Sequence, residues 1–220
     1  EEGKGFKYIL TGLNAERTLI AAECIGDARW FVERSARYAR ERRVFDRPIG
    51  QNQGVQFPLA EAHIETEAAD LMRWRACEEY DAGRNAGAAA NMAKYLAAKA
   101  SWEAANACLQ THGGFGFANE YDVERKFRET RLYQVAPIST NLILSYVAEH
   151  LLVMEQMIGR PVMPPEEVHH INRDRADNRP ENLKLYTDHM SHWMTEHVED
   201  VQRARDAAAS RRRSEGSPQL

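Results

Sequence analysis

The chain has 220 residues, 43% hydrophobic and 28% charged, with a net charge of −4. That is enough apolar material for one or two soluble domains, and too little charge for a protein that coats nucleic acid or a membrane surface. Cys24, Cys77 and Cys108 stand far apart within helical patterns, which excludes a disulfide framework or a metal knuckle and reads as reduced core thiols in a cytoplasmic setting. Neither a signal peptide nor an apolar run long enough to span a bilayer is visible, so no membrane partner is expected. The sequence opens at Glu1 without an initiator methionine, as a fragment does.

Apolar residues recur at helical spacing in four stretches: Ile25, Ala28, Val32, Ala36, Ala39; Phe57, Ala60, Ile64, Ala68, Leu71, Trp74; Ala93, Leu96, Ala100, Ala104, Ala107; and Leu144, Val147, Leu151, Met154, Ile158. These stripes are read as core. Glycine and proline break the pattern at 46–54, 83–87 and 113–116, so the helices double back as antiparallel neighbours. The expectation is a mainly α fold, an antiparallel four-helix bundle over 1–152. Asn14 is the expected N-cap of the first helix, which puts Glu16 in its opening turn, where the helix dipole favours a carboxylate.

After Gly159 the prolines Pro161, Pro164 and Pro165 end helical continuity, and a His-, Asn- and Asp-rich stretch with short β-prone runs follows. A domain boundary is expected between 150 and 160, with a second module over 153–200. The alanine- and arginine-rich end, 201–220, is expected to be disordered.

The motifs Gly-Leu-Asn-Ala-Glu-Arg at 12–17, Glu-Arg-Arg-Val-Phe at 41–45 with Gln53, and Gln-Thr-His-Gly-Gly-Phe-Gly-Phe at 110–117 occur in an order and spacing that resemble acyl-CoA dehydrogenases over 12–144. The resemblance implies FAD-dependent oxidation of an acyl-CoA thioester to the enoyl-CoA, electrons passing to an electron-transfer flavoprotein, and a homo-oligomer. Such chemistry needs a carboxylate to remove the proton beside the thioester carbonyl while the next carbon gives hydride to flavin; a carboxylate sealed from water is the stronger base.

One branch of the family carries that base in a Leu-Glu-Arg-like motif, which Glu16 matches, with Arg17 beside it to hold the thioester or order the site. Elsewhere the base lies in a Tyr-Glu-Gly-Thr motif, whose place is taken here by Ala136, Pro137, Ile138 and Ser139. Pro137 cannot be a base, so the role falls on Glu16 or the reaction is lost; the plain alternative for Glu16 is a solvated first-turn carboxylate. By the same resemblance Arg42, with Phe45 and Gln53, meets the FAD pyrophosphate across a subunit interface. Gln110, Gly113 and Gly114 form a loop that lets backbone approach a neighbouring protomer's flavin nucleotide. Without the family, Gly113 to Gly116 is an interhelix turn. The N-terminal helical and middle β domains of such enzymes do not precede Glu1, so weak or absent turnover is expected of this chain by itself.

Residues 153–197 resemble phage-type HNH endonucleases through Val-Met-Glu-Gln-Met-Ile-Gly-Arg-Pro at 153–161, Val-His-His-Ile-Asn at 168–172 and Asp-Asn-Arg-Pro-Glu-Asn-Leu-Lys-Leu-Tyr at 177–186. The resemblance implies a small ββα-metal fold holding one divalent ion, with His170 as general base, His169 and His192 as metal ligands, and Asn182 bracing the loop. Neighbouring residues on a strand point to opposite sides, so one histidine of the pair can face metal and the other water. The family's final histidines are commonly four apart, whereas His192 and His197 are five apart, which leaves Glu196 or His189 to complete the sphere.

The metal remains open among Zn, Ni, Mg and Mn. The basic residues Arg203, Arg205 and Arg211 to Arg213 either touch nucleic acid phosphates or form a solvated tail. The segment Tyr146 to Met154 fits both families, so the two pieces meet inside one shared helix, as in a recombined or joined sequence. Three functions compete: a dehydrogenase part, a metal nuclease, and a helical scaffold with neither activity.

Overall fold

Small side chains at steps of three and four let three long helices approach closely. α1 (Gly5–Glu41) buries Arg17, Ala21, Cys24, Ala28, Phe31, Ser35 and Ala39 along one face. α2 (Gln53–Asp81) turns in Ala62, Thr66, Ala69 and Ala76. α3 (Gly87–His112) is buried on most sides, through Ala89, Ala90, Ala93, Ala97, Ala104 and Cys108 among others. Its alanines form two apolar clusters, one with Ala21, Ile25, Ala69 and Ala76, the other with Phe31, Ala62 and Val123. Helices faced with alanine leave little room for a larger residue, so the packing is specified by shape.

The computed structural model describes residues 5–163, 166–172, 177–187 and 191. The chain divides into two units, Glu1–Val147 and Ala148–Leu220, five residues before the boundary expected at 152. In the first unit the remaining wall is divided between α4 (Val123–Arg131), which the sequence periodicity did not single out, and α5 (Thr140–Tyr146), capped by Ser139 accepting from Leu142 N at 3.4 Å. A π-helical segment, Val147–Met154, follows α5 and runs into the single turn α6 (Glu155–Ile158).

Two sequence expectations change. α1 starts at Gly5, so Asn14 lies more than two turns inside it; the Asn14 side chain accepts from Arg17 Nη1 at 2.9 Å instead of capping, and Glu16 is not a first-turn carboxylate. The Phe57, Ile64, Leu71, Trp74 stripe of α2 is not core: these residues are 61%, 66%, 72% and 56% exposed. α2 has two apolar faces, and the alanine-bearing one fits the closely approaching α3, where bulky rings and branched chains would hold the helices apart. Cys24 and Cys108 are buried, whereas Cys77 is only partly covered. No helix among the described residues is long and apolar enough to cross a membrane.

In the second unit β3 (Glu167–His170) pairs antiparallel with β4 (Leu183–Tyr186), His169 opposite Lys184 and His170 opposite Leu183. Met154, Val168 and Leu183 form its core. The bidentate Arg160–Glu166 pair, at 2.8 and 2.5 Å, closes the connection into β3. His189, His192, Glu196, His197 and the 201–220 tail lie outside the described residues.

Candidate functional sites

At the C-terminal end of α1 the chain turns through a two-residue hairpin, β1 (Arg43–Val44) against β2 (Arg47–Pro48). Its turn residues Phe45 and Asp46 have φ of 51° and 61°, as this tight turn type requires, and Phe45 is 94% exposed. The hairpin is pinned: Ile49 N donates to Arg42 O at 2.9 Å, Arg47 to Asn52 Oδ1 at 2.8 Å, and a Cβ on Gly50 would stand 3.0 Å from Ala39 O. Gln53, exposed, opens α2 directly after it.

An aromatic ladder joins this end of α1 to the loop after α3. Tyr38 stacks on His112 at 4.1 Å, Tyr121 meets both edge-on, Phe115 lies 5.6 Å from Tyr121, and the Arg42 guanidinium sits 5.4 Å from the Phe115 ring. Arg42 and the Gly113–Gly114 turn are thereby brought onto one rim. Gly113, at φ 57° and ψ −134°, holds a conformation that side chains other than hydrogen resist, and Gly113 and Gly114 have open space where a Cβ would stand. Burial lowers the His112 pKa; its Nδ1 lies 2.9 Å from Cys108 O, and its Nε2 is buried with no hydrogen-bonding partner among the described residues. His112 lies inside the Gln-Thr-His-Gly-Gly-Phe-Gly-Phe motif, whereas Tyr38 and Tyr121 lie outside any motif, because contacts between distant helices leave no local spacing.

Gln110, Gly113 and Phe117 also border a groove of about 680 Å³ between α2 and α3. Glu61, Glu65 and Glu103 line it, with Lys99 3.8 Å from Glu65, so its charge repels phosphate; the cationic, aromatic rim at Arg42 is the part suited to a diphosphate.

Glu16 is exposed on α1, 26 residues before Arg42, which is ~39 Å at the rise of an α-helix. One copy therefore does not bring Glu16 together with Arg42, Gln110 and Gly113. Beside Glu16, Arg17 is buried, its pKa lowered by loss of water, and its Nε has no partner among the described residues. Lys94, fully buried, donates to Tyr133 O at 2.6 Å and Ile138 O at 2.7 Å, fixing the Ala136–Ser139 loop onto α3. Pro137 on that loop is exposed and carries no titratable group.

In the second unit Asn182 is buried at the end of the β3–β4 loop. Its Oδ1 accepts from Asn172 N at 2.9 Å, and its Nδ2 donates to Asn172 Oδ1 at 2.9 Å and Asp177 O at 2.7 Å. Arg179 grips Asp177 through both carboxylate oxygens at 2.8 Å and holds that carboxyl far below the usual range. His169 meets Tyr186 edge-on at 6.2 Å. His170 departs from expectation: it faces protein, not water, with Nε2 2.9 Å from Asn178 Oδ1 and Nδ1 3.6 Å from Glu149 Oε1. The π-helical segment that carries Glu149 covers this side of the strand. Among the described residues no three His, Cys, Asp or Glu side chains gather as a cluster able to hold a metal.

Residues 147–190 match the family profile of HNH endonucleases, and residues 3–152 that of the acyl-CoA dehydrogenase C-terminal domain. The chain is 42% identical over 150 residues to acyl-CoA dehydrogenase FadE12 of Mycobacterium tuberculosis, covering 67% of this chain and 39% of that protein. It is 35% identical over 152 residues to an acyl-CoA dehydrogenase of Bacillus subtilis, covering 69% and 40%. The structure of butyryl-CoA dehydrogenase from Megasphaera elsdenii superposes with a TM-score of 0.67 at 28% identity, again over 69% and 40%. The chain thus spans about 40% of the length of the relatives it matches. With its three alanine-packed helices, its glycine rim and a profile match over 3–152, the chain belongs to the acyl-CoA dehydrogenase C-terminal domain family.

Proposed function

We propose that this chain is the C-terminal helical part of an FAD-dependent acyl-CoA dehydrogenase, with Glu16 as the base that takes the proton beside the thioester carbonyl. The observation that carries the reading is the pairing of an exposed Glu16 carboxylate on α1 with a proline, Pro137, on the loop where other family members place their base. FAD, when bound, supplies the hydride acceptor. The residues present fit it: the Arg42 guanidinium offers a fork for a diphosphate, Phe45 an uncovered ring, and Gly113 and Gly114 a surface that backbone contacts can reach.

The ~39 Å between Glu16 and Arg42 argues that one copy's Glu16 and a neighbour's Arg42, Phe45, Gln53, Gln110, Gly113 and Gly114 serve one flavin. A homo-oligomer also gives the exposed Phe57, Ile64, Leu71 and Trp74 stripe a partner. An acyl-CoA thioester is the substrate class, and an electron-transfer flavoprotein is the acceptor in this reading. Flavin binding is tested on the chain itself by fluorescence quenching, with Arg42→Ala weakening it at least tenfold. Turnover is tested after joining the chain to the N-terminal helical and middle β domains of a complete acyl-CoA dehydrogenase. Glu16→Gln then abolishes acyl-CoA oxidation while leaving flavin bound; oxidation at an unchanged rate would remove Glu16 as the base.

A second reading, an HNH endonuclease over the profile-matched residues 147–190, is favoured by the Asn182 brace behind two adjacent buried histidines. A divalent ion, when bound, would supply charge at the departing phosphodiester oxygen. His169 is its one proposed ligand among the described residues. Plasmid nicking in the presence of Mn²⁺, Mg²⁺, Zn²⁺ or Ni²⁺, lost in His170→Ala, tests this reading, and nicking retained in that variant sinks it.

A further inference from the structure

Lys94 is the one charged side chain that α3 buries among the described residues, and it is fully covered. Loss of water lowers its pKa; the groups that act on its charge are the Cys24 thiol and the Arg17 guanidinium, neither of them a carboxylate. Its Nζ donates instead to two backbone carbonyls of one loop, Tyr133 O at 2.6 Å and Ile138 O at 2.7 Å. Gln134 adds a second tie, its Nε2 donating to Ala98 O at 2.8 Å. A buried lysine without an acid beside it costs stability, and an apolar residue would fill the same space without that cost, so the amine serves the loop and not the core.

The loop lies at the end of the bundle where Glu16 stands. Lys94 is close enough to Arg17, the neighbour of Glu16, to feel its charge. A Cβ on Gly87, two turns before Lys94 on α3, would stand 3.5 Å from Tyr146 Oη and 3.7 Å from Asn14 Nδ2, so α1, α3 and α5 meet there. Two buried atoms at this end, Arg17 Nε and Asn91 Oδ1, have no hydrogen-bonding partner among the described residues. A donor and an acceptor left unpaired out of water suit a polar group of a ligand.

We propose that Lys94 is a positioning residue for acyl-CoA oxidation, clamping the 133–138 loop beside Glu16 so that loop and carboxylate bracket the acyl group at one fixed separation. The inference rests on the dehydrogenase reading. Lys94 itself, being wholly covered, touches no substrate and moves no proton. Proton removal beside the thioester carbonyl and hydride transfer from the next carbon require both carbons to be held still, and a shift of about 1 Å in what holds them costs roughly 100-fold in rate. Charged or neutral, a lysine amine has at least two N–H groups, so it spans two carbonyls that a single donor cannot.

Lys94→Ala tests the clamp in the full chain, because it leaves a space the size of propylamine. Hydrogen exchange at Val135 and Ala136, whose N–H groups both donate to Leu132 O at 3.0 Å, reads the loop. Protection there is expected to fall roughly tenfold or more with two hydrogen bonds lost, while the α1 and α3 amides keep theirs. Added propylamine restores it; 1-propanol, with one O–H for two carbonyls, does not. In the chain joined to the two further domains, Lys94→Ala lowers kcat roughly 100-fold, leaves KM for acyl-CoA within about twofold, and regains rate with propylamine. Lys94→Met, of similar length and without an N–H, carries the exchange and rate measurements if alanine prevents folding. Unchanged loop protection, protection lost throughout α1 and α3 as well, equal rescue by the alcohol, or a loss that appears in KM alone would overturn the proposal. A joined wild type that binds flavin but oxidises no acyl-CoA removes the dehydrogenase reading and the catalytic role with it, and exchange still decides whether Lys94 clamps the loop.

Discussion

Removing the Asn182 side chain should open the β3–β4 loop by an amount the hydrogen bonds set. Asn182→Ala deletes three bonds, from Asn172 N and to Asn172 Oδ1 and Asp177 O. At about 1 kcal/mol per neutral bond the loss is roughly 2–3 kcal/mol, the lower end applying where water replaces the bonds to Asn172. Asn182→Asp keeps the shape but turns a donor into an acceptor. Its second oxygen would face the Asp177 carbonyl, which has no rotation that relieves the repulsion, so this variant should be worse than alanine.

The second unit has a small core of Met154, Val168 and Leu183, so a loss of this size is a large share of its stability. Amide hydrogen exchange at Ile171, whose N–H donates to Asn182 O at 2.8 Å, and at Asn172 reads the effect. Protection should fall about 30- to 150-fold in Asn182→Ala, the equivalent of 2–3 kcal/mol. Equal protection in wild type and Asn182→Ala, or an aspartate variant more protected than the alanine one, would refute this account of the loop.

Gly113→Ala should cost about 1–3 kcal/mol through backbone strain alone, because the site has room for the methyl but not the conformation; a thermal melt unchanged from wild type would contradict it. Burial depresses the His112 pKa below its ordinary 6.5, so the unfolded chain takes up the proton first as the pH drops. Its contribution is intact above pH 6.5 and is lost progressively below it. Urea unfolding of the helical unit followed from pH 7 to 5 should weaken less in His112→Gln than in wild type, and parallel pH curves would count against it.

Much of this protein is legible along its length. Glycine and proline mark the ends of α1, α2 and α3, the 3.6-residue recurrence marks their bodies, and linear order alone links His169 and His170 to Asn182, since a hairpin brings near neighbours together. The periodicity of α2 shows that Phe57, Ile64 and Leu71 share a side, but α3, by accepting alanine at close approach, decides that this side faces outward. The motif order places Glu16 and Arg42 in one family, while the rise of α1 separates them by ~39 Å within a copy. The carboxylate beside His170 comes from Glu149, 21 residues earlier and on a different element, a distance at which no spacing rule operates. Sequence specifies which residues prefer burial and where the backbone must turn, because those are local properties of side chain and φ/ψ. Which faces meet, and which polar groups then find each other out of water, depends on volume and direction in three dimensions, and only the tertiary structure settles that.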